Sequence, residues 1–110
     1  MKPDNIIVGS GKNSSKFYLI DFGLSKRYID PKTGKHIKDK TGKGIIGTTQ
    51  FLSLNANGGH EHSRKDDLES LGYILVHFMK GGNLPWSDVP LPEPPGLYAH
   101  DLDKEYFERL

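Results

Sequence analysis

Two short apolar runs, Ile6-Ile7-Val8 and Phe17-Tyr18-Leu19-Ile20, flank a polar stretch of Gly, Ser, Asn and Lys. β-Branched and aromatic residues suit the pleated surface of a strand, and Gly, Ser and Asn suit the turn that reverses it. The spacing predicts an antiparallel hairpin with its turn over 9–16. This pattern constrains the chain most, because it fixes what stands at the hairpin's open end. Asn5 leads into the first run and Asp21 follows the second. Pairing would therefore bring an amide oxygen and a carboxylate out side by side. Hard oxygen donors of this kind suit Mg²⁺, which takes few protein ligands and keeps phosphate oxygens and waters as the rest. Lys2 would add a positive charge beside them, and Gly23 would let the backbone turn sharply behind Asp21. Taken singly, Asp21 also reads as a turn cap and Asn5 as an ordinary strand start.

The chain has 110 residues, enough for one small domain with a modest core. Lys and Arg total 15 against 14 Asp and Glu, a net charge of +1 that argues neither for nor against nucleic acid or membrane. The distribution is less even. Lys26, Arg27, Lys32, Lys35, Lys38, Lys40 and Lys43 make the middle basic, and acids dominate from Asp88 onward. A basic, weakly apolar middle reads as a solvated loop, and also as a surface for an acidic or phosphorylated partner. With no cysteine, disulfides and thiolate metal sites are excluded. No apolar run reaches the length of a membrane span, and Met1 opens no signal-peptide pattern. The expectation is a soluble protein of the cytoplasm, with the nucleus as a second compartment.

Beyond Gly23, the residues Pro31, Gly34, Gly42 and Gly44 and the lack of apolar periodicity mark a long loop. His60-Glu61-His62 reads as an exposed polar loop, since two histidines two apart lack the four-residue spacing of a helical zinc motif. Ser63-Arg64-Lys65-Asp66 has the form of a capping box, so a helix should begin there. Leu68, Leu71, Ile74, Leu75, Phe78 and Met79 recur at three and four, widened by Tyr73 and Val76, and Gly81-Gly82 should stop the helix near Lys80. A helix apolar around most of its circumference should be buried on most sides. Pro90, Pro92, Pro94, Pro95 and Gly96 read as an extended linker, and a further helix could begin near Asp101 or Asp103.

Lys2-Pro3-Asp4-Asn5 followed by Asp21-Phe22-Gly23 resembles two motifs of eukaryotic protein kinases, the tail of the catalytic loop and the magnesium-binding triplet. Two further runs resemble the casein kinase I family. Ser53-Leu54-Asn55 stands where most kinases carry Ala-Pro-Glu, behind Gly47-Thr48. Asp66-Asp67-Leu68-Glu69-Ser70-Leu71-Gly72-Tyr73 matches the opening of that family's central helix. The resemblance runs from Lys2 to Trp86.

The resemblance implies an α+β, mainly α fold: part of the C-terminal lobe of the kinase fold. Its parts would be the catalytic-loop tail and hairpin over 1–22, an activation segment over 23–55, a central buried helix over 63–82, and a linker with the start of another helix over 87–110. It implies ATP γ-phosphoryl transfer to Ser or Thr hydroxyls of proteins, with ATP and Mg²⁺ required. Asn5 and Asp21 would hold the metal, and Lys2 would neutralise the transferring phosphoryl. Ile7 and Ile20 would floor the adenine pocket. Thr48 would fix the loop by bonding to Lys2 and to the catalytic Asp, and Asp67 would accept backbone N–H bonds from the catalytic loop. The expected partners are protein substrates, acidic or phosphorylated, with neither nucleic acid nor membrane. The family holds a primed substrate's phosphate in a basic pocket; Lys43 matches it, but Gln50 replaces an Arg. The base itself would be the residue before Met1, so the chain is expected to be a fragment, inactive by itself. A non-catalytic kinase-like binding module and a truncated gene product stand as alternatives.

Overall fold

The hairpin forms where the apolar runs place it. In the computed structural model, which describes residues 1–89, strand β1 (Ile6–Val8) pairs antiparallel with β2 (Phe17–Leu19). The register sets Ile6 opposite Leu19, Ile7 opposite Tyr18 and Val8 opposite Phe17. The second run is one residue shorter as a strand than its sequence suggests, yet the Ile20 amide still donates to the Asn5 carbonyl at 2.8 Å. The turn is tight at Gly9, where any Cβ would collide with the Asn13 carbonyl. Only glycine fits so close an approach.

The long segment after Asp21 is loop, as its composition predicts, with one isolated bridge between Ile29 and His36. A 3-10 turn at Thr49–Phe51 ends it, followed by helix α1 (Leu54–Asn57), which the sequence did not announce. Ser53 caps α1 by accepting from the Ala56 amide at 3.0 Å.

Helix α2 (Arg64–Met79) starts on the expected box: the Asp66 carboxylate accepts from the Ser63 amide at 2.7 Å. It stops at Lys80, where Gly81 and Gly82 take φ of 72° and 97°, the left-handed region open to glycine.

The helix differs from expectation in its burial. Of its residues only Asp66, Ser70 and Ile74 are buried, while Leu68, Leu75, Phe78 and Met79 stand more than half exposed. The described residues supply one thin layer against it. Phe51, Ile74 and Leu84 form the core, with Met1, Ile6 and Tyr73 packed on its edge. The α+β class holds, with helix exceeding strand, though most of the described chain is loop. The linker and further helix expected from Pro90 onward fall outside the described residues.

Candidate active site

The core explains where the hairpin sits. Ile6 turns inward to the cluster of Phe51, Ile74 and Leu84. Successive strand residues point to opposite faces, so Ile7 and its partner Tyr18 lie on the outer face. Ile20, opposite Asn5, belongs to that outer face too, and Ile7 and Ile20 are 46% and 40% exposed. An apolar outer face therefore leads to the end where Asn5 and Asp21 emerge.

Asn5 closes the 3-10 turn Pro3–Asn5, which Pro3 begins with its φ already set. Its amide donates to the Lys2 carbonyl at 3.1 Å, so Lys2 is held one turn away, half-buried. Asp21 has φ of 62°, the one non-glycine residue in the left-handed region among the described residues. Its own Oδ1 accepts from the Gly23 amide at 3.3 Å, a local bond that makes this conformation tolerable for an aspartate. Strained backbone of this kind costs about 1–3 kcal/mol and collects at functional sites. Asp21 is exposed, as is Asp4. An amide and a carboxylate at one end fit Mg²⁺ better than a softer metal. No group of three or more His, Cys, Asp or Glu able to hold a metal exists among the described residues. A metal here would thus lean on non-protein oxygens. A shallow hollow of about 380 Å³, lined by Ile7, Gly9, Asn13 and Tyr18 among others, opens at the turn end, away from Asp21.

Thr48 sits just before the 3-10 turn, its carbonyl accepting from the Phe51 amide at 3.0 Å, and its side chain is exposed. Among the described residues no hydrogen bond joins it to Lys2. Asp67 is also exposed; the buried carboxylate with several donors is its neighbour Asp66. Burial pushes the Asp66 carboxyl up, but the hydroxyls of Ser53 and Ser63, the Ser63 amide and Lys65 outweigh it and hold the group below its ordinary value.

Sequence reasoning missed what tethers the basic loop. Glu61 is not part of a free polar loop: its side chain is 10% exposed and pairs with both Lys26 and Lys43, the latter at 3.0 Å. The neighbouring His60 meets Asp39 at 3.0 Å, and the Glu61 amide donates to that same carboxylate at 3.2 Å. The Arg64 guanidinium lies 4.2 Å from the centre of the Tyr28 ring. Lys43 is therefore already engaged. Gln50 is engaged elsewhere: its side-chain amide donates to Ser87 Oγ at 2.5 Å, and its carbonyl accepts from Trp86 Nε1 at 2.9 Å. A local signal for these links did not exist, because every partner lies far along the chain.

The hairpin, the turn that carries Lys2 and Asn5, and the left-handed Asp21 all lie at the N-terminal end of the described residues. A family model described as fungal protein kinase matches residues 2–79. The chain belongs to the fungal protein kinase family.

Proposed function

We propose that this chain carries part of the catalytic cleft of a casein kinase I-like Ser/Thr protein kinase, which moves the γ-phosphoryl of ATP to protein hydroxyls. The observation that carries the reading is the common exit of Asn5 and Asp21, enforced by the bond between Ile20 and Asn5. The casein kinase I assignment rests on Ser53-Leu54-Asn55 and on the run from Asp66 to Tyr73.

In this reading Asn5 and Asp21 would hold Mg²⁺, which would offset charge on the nucleotide phosphates. Lys2 offsets charge on the phosphoryl in transit. Ile7 and Ile20 would cover the adenine, and Thr48, whose side chain is exposed, would be free to steady the loop. Such catalysis is mostly positioning and electrostatics, with little covalent work for the protein. The substrates are acidic or phosphorylated proteins, met in the cytoplasm and the nucleus. Preference for primed substrates is weak, because Gln50 is neutral and bonded to Ser87, and Lys43 is shared with Glu61.

The test is a transfer assay on the natural protein, with radiolabelled ATP, a casein-type substrate and identification of the labelled amino acid. Labelled phosphoserine or phosphothreonine that disappears in Asp21→Asn supports the reading. Phosphotyrosine would refute the Ser/Thr assignment, and binding of substrate without transfer would favour the non-catalytic module.

A further inference from the structure

Asn57 has no part in the chemistry above, and of the chain's asparagines it alone precedes a glycine. The pair closes α1, Asn57 as its last residue and Gly58 as its C-cap. Asn57 is half-buried and Gly58 is exposed. An asparagine side chain is an electrophile for the backbone nitrogen that follows it, and without a Cβ on Gly58 that nitrogen is unhindered. Packing does not require glycine here. A Cβ at Gly58 would meet the Asn55 carbonyl at 3.4 Å and the His60 ring at 3.5 Å, ordinary contacts, and a φ of −75° suits any residue.

Folding holds the two reacting groups apart. The Gly58 amide donates to the Leu54 carbonyl at 3.0 Å and the Asn57 amide to the Ser53 carbonyl at 2.9 Å, which keeps the pair in helical geometry. The Asn57 side-chain amide donates to the Leu52 carbonyl over a long 3.4 Å. A four-residue helix has one turn, and so little cooperativity to lose when it opens. Its start is pinned to α2: the Ser53 hydroxyl donates to Asp66 at 2.6 Å, and the Leu54 amide to Glu69 Oε1 at 2.9 Å. The far end, at Gly58, is held by backbone bonds of the turn itself. Such ends open locally without unfolding the rest.

We propose that Asn57 is a site of spontaneous deamidation, reached by the opening of α1, and that the acid formed there loosens the turn from Leu52. In the opened turn the Gly58 nitrogen attacks Asn57 Cγ. A C–N bond forms, the Cγ–Nδ2 bond breaks, and ammonia leaves with the proton that the Gly58 amide gives up. Water then opens the cyclic imide. Attack at the former side-chain carbonyl yields aspartate; attack at the main-chain carbonyl yields isoaspartate, with an extra methylene in the backbone. Both products replace the donor that faced the Leu52 carbonyl with a carboxylate. Leu52 is 6% exposed, so its carbonyl then faces an acceptor with little water to relieve the repulsion. This chemistry is independent of the kinase reading.

The test incubates the natural protein at physiological pH and temperature and follows the amide-to-acid mass gain of its proteolytic peptides. The peptide holding Asn57 should gain it first, ahead of the one holding Asn13, which precedes Ser14 in the hairpin turn. Gly58→Ala, for which there is room, should remove the early gain. Ser53→Ala, which removes the α1 cap, should speed the gain about fivefold. Should Ser53→Ala fail to fold, hydrogen exchange in the unaltered protein takes its place: the Gly58 amide should exchange faster than that of Ile74 inside α2. Asn57→Asp should melt below both the parent and Asn57→Ala, since alanine removes the donor without adding a charge. An earlier gain at Asn13, no gain at Asn57 or a rate indifferent to Ser53→Ala would overturn the inference. So would equal protection of the two amides, or an Asn57→Asp variant as stable as the parent.

Discussion

The Ile20 amide donates to the Asn5 carbonyl at 2.8 Å, one step beyond the last strand pair. That bond ties the exit of Asp21 to the exit of Asn5, and the first prediction follows from it. On the proposed reading, Asp21→Asn should abolish turnover of the natural protein, since the carboxylate that would hold Mg²⁺ loses its charge. Asp4→Asn should cost far less, because Asp4 is exposed inside the 3-10 turn. Turnover at saturating ATP and Mg²⁺ measures both. Equal losses would show the ligand to be wrongly assigned.

The backbone of Asp21 gives the second prediction. At φ of 62°, glycine would sit without strain. Asp21→Gly should relieve about 1–3 kcal/mol of backbone strain, offset in part by the roughly 0.4–1 kcal/mol that glycine's freedom lends the unfolded chain, for a small net gain in stability with activity lost. Denaturant midpoints of the variant and the parent decide; a lowered midpoint would mean that the carboxylate's bond to Gly23 outweighs the strain.

The third prediction concerns Glu61, which neutralises Lys26 and Lys43 together. Glu61→Gln should release the basic loop, at a cost of about 1 kcal/mol that shrinks at high salt. Trypsin should then cut after Lys26 or Lys43 faster than in the parent. Unaltered cleavage would leave the loop's path independent of these pairs.

His62 sets the fourth. Burial, the largest influence, holds its imidazole below the ordinary value of 6.5; Asp66 and Asp67 pull it up and Lys26 pushes it down. The unfolded chain then binds the proton more readily than the folded one. Stability is fully present above 6.5 and falls as pH drops below it. Melting temperatures recorded across this window should decline on the acid side, and His62→Gln should flatten the decline.

Gln50 supplies the fifth. Replacing it with Arg removes the side-chain amide's bond to Ser87 and adds a positive charge at this position. Gln50→Arg should raise selectivity for primed over unprimed peptides by on the order of tenfold. An unchanged ratio would mean that this position does not meet the substrate's phosphate.

The hairpin was legible because β-branched runs, a polar turn and a local register carry all the information it needs. The start and stop of α2 were legible for the same reason: Ser63, Asp66 and the Gly81-Gly82 pair act within a turn of themselves. Legibility failed where the partner is remote. Glu61 looks like any loop carboxylate until folding brings Lys26 and Lys43 to it. Asp66 and Asp67 are chemically identical neighbours, and only helix phase decides that Asp66 faces Ser53 and Asp67 faces solvent. Burial of α2 was overestimated because periodicity reports which side chains are apolar, not what covers them.

Trp86 is the sole tryptophan of the chain, and its indole is placed to act as an optical probe. Its N–H is spent on the Gln50 carbonyl, and its ring meets Tyr73 edge-on at 5.1 Å. One partner belongs to the segment after the basic loop and the other to α2. Intrinsic emission therefore reports whether those two parts are docked, with no label added. Trp86 is already 40% exposed, so lifting the segment would expose the indole further and shift its emission to the red, while circular dichroism at 222 nm would still read the helix alone. The protein thereby carries a spectroscopic means of separating the undocking of one segment from the unfolding of the whole.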